Sequence, residues 1–205
     1  MNDRRFQATI RTTSPLHLGN GETGDAVDLP LNRGPDGRPY ISGTAIAGRL
    51  RENATRLAPL IGWPACAALQ LRGPRAVSCD CPVCRVFGHR FLPREESQGQ
   101  GSTSLHASRI TVFDACTPGG GLGAALIRDG VGISRRRGAA QDGAKYDMEW
   151  LSAGAPFEMR IELQADPSPE SGPEGVTPAR LQELVIALAV SEWCAGRGRI
   201  GAAAA

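Results

Sequence analysis

Residues 34–57, GPDGRPYISGTAIAGRLRENATRL, contain a turn, a short extended segment and an amphipathic helix in immediate succession. The first four residues, Gly-Pro-Asp-Gly, are a strong turn signal, and Pro39 to Ile41 follow as an extended segment. Thr44 is the predicted helix cap. The apolar positions at helical spacing are Ile46, Leu50, Ala54 and Leu57. This stretch therefore predicts a strand that leads directly into a helix with one apolar face.

Alternating apolar residues predict strands on both sides of this helix. The segments 6–12, 108–113 and 157–163 have this pattern. A second helix is predicted to be capped by Thr177, to start at Pro178 and to stop near Gly196. The order strand, helix, strand, strand, helix fits a split βαβ arrangement. We therefore expect an α+β protein with a ferredoxin-like (RRM-like) core, although a closing strand is not visible in the sequence.

Two segments interrupt this pattern. Residues 63–104 are rich in proline and cysteine and contain a polar tract, so they are predicted to be an insertion. Residues 128–147 are polar and rich in arginine, which predicts an exposed loop or hairpin. With 205 residues, the chain is long enough for one domain with insertions and short for two. We therefore expect residues 1–205 to form a single elaborated domain.

Composition limits the protein's location and partners. No apolar run approaches the length of a membrane span, and Asp3, Arg4 and Arg5 run straight into an alternating strand pattern without the apolar segment of a signal peptide. We therefore expect a soluble cytoplasmic protein without a membrane partner. Lys145 is the only lysine, so nearly every cation is an arginine, which suits phosphate and stacks on bases. A GC-rich genome is the favoured explanation of the arginine content over selection for RNA, and the net charge of +2 does not by itself indicate nucleic acid.

A cysteine cluster predicts a metal site. Cys79, Cys81 and Cys84 lie within six residues, Cys66 lies upstream and His89 just downstream. In a reducing compartment such a cluster indicates metal or catalysis rather than disulfides. Four of these donors can surround a structural Zn²⁺ ion tetrahedrally. Cys66 is preferred as the fourth ligand with His89 as the alternative, and metal-free buried or reactive cysteines remain the competing interpretation.

Several motifs together resemble the repeat-associated mysterious protein (RAMP) superfamily, and the closest similarity is to the backbone subunit of type III, or type III-derived, CRISPR effector complexes. The early motifs are LHLG at 16–19, AVDLPL at 26–31 and GRPYISGTAIAGRLR at 37–51. The later ones are CPVCRVFG at 81–88 and ASRITVFDA at 107–115. Residues 132–147, followed by Glu149 and Gly154, resemble the hairpin called the thumb in this family.

The resemblance implies a subunit that polymerises along a CRISPR RNA, next to further copies of itself and to other effector-complex subunits. Such a subunit binds complementary target RNA, and the thumb wedges the guide–target duplex at regular intervals. The family's cleaving aspartate, which works with a divalent ion such as Mg²⁺ or Mn²⁺, matches Asp28. The alternatives are that Asp28 caps a turn, and that the subunit is a non-cleaving scaffold while another protein cuts. A zinc-stabilised RNA-binding domain outside CRISPR systems is the third possibility.

Candidate RNA contacts follow from the same motifs. Backbone N–H groups at the first helix and two arginines on that helix are predicted to meet guide phosphates. Three further arginines belong to the thumb, and a glycine-rich loop near the C-terminus completes the set. These residues are Gly43, Thr44, Ala45, Arg49, Arg51, Arg135, Arg136, Arg137, Gly196 and Gly198. Ala47 departs from the family pattern because relatives commonly carry a lysine there. The arginines are otherwise explained as a solvated surface, and His17 as a satisfied core histidine.

Overall fold

The described part of the chain contains both strands and helices, and five strands follow one another between the second helix and the last. The computed structural model describes residues 4–19, 21–65, 81–88, 107–119, 125–165, 176–196 and Ile200. The strands are β1 Arg4–Arg11, β2 Tyr40–Ile41, β3 Ile110–Val112, β4 Ala115–Cys116, β5 Ala125–Ser134, β6 Ala139–Leu151 and β7 Pro156–Leu163. The helices are α1 Gly43–Leu57, α2 Pro82–Phe87 and α3 Pro178–Cys194, and a 3₁₀ turn covers Ala58–Ile61.

Antiparallel pairing dominates the sheets. Within the described residues, one sheet has the strand order β1-β7-β4-β2, with β3 also paired to β7. Tyr40 lies opposite Cys116 where β2 meets β4, and Ile110 lies opposite Leu163 where β3 meets β7. Strands β5 and β6 form a separate two-stranded sheet. The predicted α+β class with antiparallel sheets is thus confirmed.

The described residues fall into two compact units. One lies within Met1–Phe6, Thr44–Val112 and Ile161–Gly198, and the other within Gln7–Gly43, Phe113–Arg160 and Arg199–Ala205. The predicted single domain and the 63–104 insertion stay predictions, because residues 66–80 and 89–106 lie outside the described part. Among the described helices, none combines the length and apolar character needed to cross a bilayer.

The first unit is organised around three helices. The apolar face of α1 is buried at Ile46, Leu50 and Ala54, as its spacing predicts, and α2 packs on α3. Asn53, also buried, donates from Nδ2 to the Ala189 carbonyl at 3.1 Å, so this polar group is satisfied within the core. The Thr177 hydroxyl accepts from the Arg180 N–H at 3.4 Å, which confirms the predicted cap of α3.

The second unit has its core under strands β2, β4 and the start of β7. Ile41, Phe157 and Leu151 are almost fully buried there, and Phe157 begins the predicted alternation of buried residues along β7. The polar segment predicted at 128–147 is a hairpin rather than a loop, and it is longer than expected because pairing extends from Ala125 opposite Leu151. The hairpin's identity as a thumb stays a prediction.

One local prediction, the cap of α1, is wrong. Helix α1 begins at Gly43, one residue before Thr44, so Thr44 lies inside the first turn and does not cap it. The backbone N–H of Gly43 instead donates to the Asp114 carboxylate at 2.7 Å. In addition, Cys194 is exposed at the end of α3, because it falls on the helix face opposite the core.

Candidate nucleic-acid interface

The segment that carries Asp28 is hydrogen-bonded to strand β6. Asp28 is exposed, and its Oδ2 accepts from the backbone N–H of Asp147 at 2.9 Å. The next residue, Leu29, donates its N–H to the Asp147 carbonyl at 2.9 Å and accepts from the Glu149 N–H at 3.0 Å. Leu29 also forms a parallel bridge with Met148. The position of Asp28 is therefore fixed by the base of the hairpin.

Glu149 anchors the same segment through its side chain. Its Oε2 accepts from the Leu31 N–H at 3.0 Å, and its Oε1 pairs with the Arg33 guanidinium. The Glu149 side chain is only 14% exposed, so this pair is shielded from solvent on the carboxylate side. Both carboxylate oxygens are engaged, and Glu149 consequently acts as a structural link between β6 and residues 31–33.

A second carboxylate lies beside Asp28. Asp147 is directly opposite Asp129 in the hairpin register, and Lys145 approaches Asp129 at 3.5 Å. The Oδ1 atom of Asp147 is buried and has no hydrogen-bond partner among the described residues. A buried acceptor without a partner is costly unless a water or ion satisfies it. Within the described part of the chain, no group of three or more His, Cys, Asp or Glu side chains is arranged to hold a metal.

A cavity of about 310 Å³ is lined in part by Leu29, the residue that follows Asp28. Its wall includes His17, Gly19, Glu22, Leu29 and Pro30. The His17 ring is half-buried and lies 5.8 Å from the Trp150 ring, at a tilt of 51°. Since Leu29 directly follows Asp28, the cavity and the predicted cleaving residue are neighbours along the chain.

The hairpin exposes apolar side chains. Ile127 is 62% exposed and Ile133 is 58% exposed, which is unusual for β-branched residues in a paired strand. The opposite face carries a cation–π contact, in which the Arg128 guanidinium lies 5.4 Å from the Trp150 ring centroid. On that face a side chain at Gly130 would collide with the ring of Tyr146, its cross-strand partner, so the ring covers the glycine.

The hairpin turn carries the three predicted arginines. Arg135, Arg136 and Arg137 are all exposed between β5 and β6. Gly138 closes the turn with a φ of +63°, and its N–H donates to the Ser134 carbonyl at 2.8 Å. The turn therefore presents a compact cationic tip beyond the apolar strands.

The predicted contacts on α1 differ from one another in their surroundings. Thr44 and Ala45 are exposed in the first turn, whereas Gly43 is buried with its N–H bound to Asp114. Arg49 pairs with Glu52 at 2.7 Å. Arg51 instead directs its Nη2 atom to the Cys84 sulfur at 3.5 Å, so its cation lies beside a candidate zinc ligand.

Two of the predicted zinc ligands lie in the described residues. Cys81 precedes α2 and Cys84 lies within it, and both are buried. Buried thiols one helical turn apart, with an arginine cation against one sulfur, form a donor set that suits thiolate coordination to zinc. Cys66, Cys79 and His89 lie outside the described residues, as does Gly198. Gly196 is described, and it follows α3 with a φ of +70°.

Three features of this region carry no local sequence signal. Asp114 and Gly43 are 71 residues apart, and Asp147 and Asp28 are 119 apart. His17 reaches the carbonyl of Glu149, 132 residues away. The sequence suggested a satisfied core position for His17, but one ring nitrogen is bonded and the ring lines an open cavity.

Comparison with known proteins identifies the family to which this chain belongs. No curated protein matches the chain. A family model described as the RAMP superfamily matches residues 9–179 of the 205. Membership of this superfamily indicates a CRISPR-associated, RNA-binding role, in complexes with RNA and other subunits. The match includes the Asp28 segment, the cavity and the hairpin, and the chain belongs to the RAMP superfamily.

Proposed function

We propose that this chain is a CRISPR RNA-binding backbone subunit of a type III-like effector complex. It binds complementary target RNA and cleaves that RNA at regular intervals, and Asp28 is the cleaving residue. Its partners are the guide RNA, further copies of itself and the other effector-complex subunits. A cytoplasmic location follows from that role and stays a prediction.

The observation that carries the proposal is the attachment of Asp28 to the hairpin. Its side chain is exposed, yet the carboxylate accepts the Asp147 N–H, and the next residue, Leu29, is held by β6 through backbone hydrogen bonds with Asp147 and Glu149. A carboxylate that only closed a turn would not need attachment to a distant strand. The arrangement instead presents one acidic group at a fixed place beside a surface suited to RNA.

The proposed cleavage reaction requires few catalytic groups from the protein. RNA supplies its own nucleophile in the 2′-hydroxyl, so in-line geometry, one proton transfer and a cation near the phosphate are the main needs. Asp28 is the residue that would hold Mg²⁺ or Mn²⁺, and the partnerless Oδ1 of Asp147 is compatible with an ion or its water at this place. Mg²⁺ commonly keeps several waters and uses one or two carboxylates. When bound, the cation neutralises charge on the phosphate.

The hairpin is the proposed RNA-gripping element. Its exposed apolar strands suit contact with base faces, and Arg135, Arg136 and Arg137 suit the phosphates on either side. Thr44 and Ala45 in the first turn of α1, together with Arg49, are proposed further contacts to the guide backbone. Gly196 and Gly198 are proposed to contact RNA in the glycine-rich loop.

A structural zinc ion is proposed in the first unit. Cys81 and Cys84 are the proposed ligands within the described residues, and Cys79 together with Cys66, or with His89 as the alternative, completes the set. The proximity of Arg51 to the Cys84 sulfur supports a thiolate there. This placement favours Arg51 as a support of the zinc site over its role as an RNA contact.

A non-cleaving scaffold is the second candidate. The observation in its favour is that Asp28 Oδ2 already accepts the Asp147 N–H, a structural role that needs no reaction. In that case the subunit binds guide and target while another protein cuts.

Substitution of Asp28 in the assembled complex separates the two candidates. Asp28→Asn keeps an oxygen that accepts the Asp147 N–H but removes the negative charge, and Asp28→Ala removes both. We expect both variants to bind target RNA and to lose cleavage at regular intervals, with gel-resolved products as the measurement. Regular cleavage by Asp28→Asn at the wild-type rate would reject the proposed role and favour the scaffold.

A further inference from the structure

The hydrogen bonding of His17 fixes which of its nitrogens carries a proton. Nδ1 lies 2.7 Å from the carbonyl oxygen of Glu149. A carbonyl oxygen only accepts, so Nδ1 donates and carries the hydrogen. In the neutral ring Nε2 is then the unprotonated nitrogen, with its lone pair available. The Trp150 ring beside the imidazole further restricts its rotation.

The unprotonated nitrogen lies close to Gly19. Nε2 is the atom closest to the place where a Gly19 side chain would begin, 3.0 Å from an ideal Cβ there. Both residues line the cavity of about 310 Å³. The absence of a side chain at Gly19 therefore leaves Nε2 open to the space that Leu29, the neighbour of Asp28, also borders.

We propose that His17 is the proton acceptor in the cleavage reaction and that the cavity holds the ribose whose 2′-hydroxyl attacks. The inference rests on the proposed function and assigns separate roles to two residues. Asp28 holds the cation, and Nε2 of His17 takes the proton. Glu22 is the other titratable side chain on the cavity wall.

The step balances without a further reactant. The 2′-oxygen forms a bond to the adjacent phosphorus as its hydroxyl proton moves to Nε2, and the bond from phosphorus to the 5′-oxygen breaks. The 5′-oxygen leaves with a proton from water. The products are a 2′,3′-cyclic phosphate and a 5′-hydroxyl end, and His17 later returns its proton to solvent.

The variant His17→Asn tests this role with little disturbance. The Asn amide nitrogen occupies the place of Nδ1 and can still donate to Glu149, whereas no atom replaces Nε2. In the assembled complex we expect single-turnover cleavage to slow by about 100-fold or more, the usual range for a lost general base. Target affinity should not change. His17→Ala should be slow as well and should regain rate when imidazole is added.

Three outcomes would overturn the inference. One is a wild-type cleavage rate for His17→Asn while Asp28→Asn is inactive, which leaves the proposed function intact. Another is loss of activity in Glu22→Gln with full activity in His17→Asn. That result would identify Glu22 as the proton acceptor. The third is a wild-type complex that binds target and never cleaves it, which removes the proposed function as well.

Discussion

The carboxylate of Asp114 accepts the backbone N–H of Gly43 at 2.7 Å, at the start of helix α1. The positive end of a helix attracts anions, and here the protein supplies one from the loop between β3 and β4. The amide of Gly43 is thus engaged in the absence of RNA. A phosphate that used this amide would have to displace Asp114.

The first prediction concerns this cap. Asp114→Ala should lower the free energy of unfolding by about 1 kcal/mol, the usual cost of losing a side-chain cap. Asp114→Asn keeps an accepting oxygen and should lose less. Urea denaturation of the purified chain measures both. Equal stability of the Ala variant and the wild type would show that the hydrogen bond contributes nothing.

The second prediction compares two glycines that share a positive φ but differ in ψ, which is 9° at Gly62 and 176° at Gly88. Gly88 and Gly62 both have a φ of +77°, but a Cβ at Gly88 would lie 2.7 Å from the Ser108 nitrogen, whereas one at Gly62 would meet nothing within 4 Å. Gly62→Ala should therefore cost only the conformational strain, about 1 kcal/mol. Gly88→Ala should cost about 3 kcal/mol or more, because its backbone conformation is one that essentially only glycine adopts and because backbone atoms must also move. Similar losses in thermal unfolding would contradict the steric argument.

The third prediction concerns zinc. The purified chain should carry about one zinc ion, held by cysteine thiolates, and a strong chelator should lower its melting temperature. Cys84→Ser should reduce the metal content measured by mass spectrometry. The control is Cys194→Ser, because Cys194 is an exposed cysteine outside the proposed ligand set. Equal zinc content in both variants would reject Cys84 as a ligand.

The fourth prediction is a pH effect at the turn before β2. The backbone N–H of Arg38, and then its guanidinium, hold the pKa of Asp36 below its usual value of 3.8. Because the folded pKa is depressed, the associated stability is present above the unfolded pKa and is lost as pH falls through the folded one. Carboxyl NMR titration should detect the lowered pKa of Asp36. Arg38→Gln should raise it only in part, since the backbone donor remains, and a full return to the usual value would contradict this ranking.

Local signals in the sequence predicted the elements whose stability depends on local residues. Thr177, Pro178 and the apolar residues after them define α3, and the alternation at Phe157 and Met159 defines β7. The hairpin was harder to predict because its strands are exposed on both faces. Without a buried face there is no two-residue period for the sequence to display.

Long-range contacts account for what the sequence did not predict. Asp114 replaces Thr44 as the cap of α1 because the loop after β3 meets the helix start, which no pattern near either residue encodes. Arg51 fits a phosphate-binding stripe by its position on α1, but Cys84 lies within its reach. Of the proposed cleavage site, the resemblance supplied Asp28 alone, while His17 and Asp147 join it through the pairing of distant segments.

The hydrogen bonds between Leu29 and strand β6 have a further consequence for how distances along a target would be set. A reactive group on a free loop would cut wherever the loop reached. If Asp28 cleaves as proposed, the reactive group would move with the hairpin, and each subunit would cut the target at one fixed position. Fragment lengths would then equal the rise between neighbouring subunits, and lengthening the hairpin tip would leave that spacing unchanged.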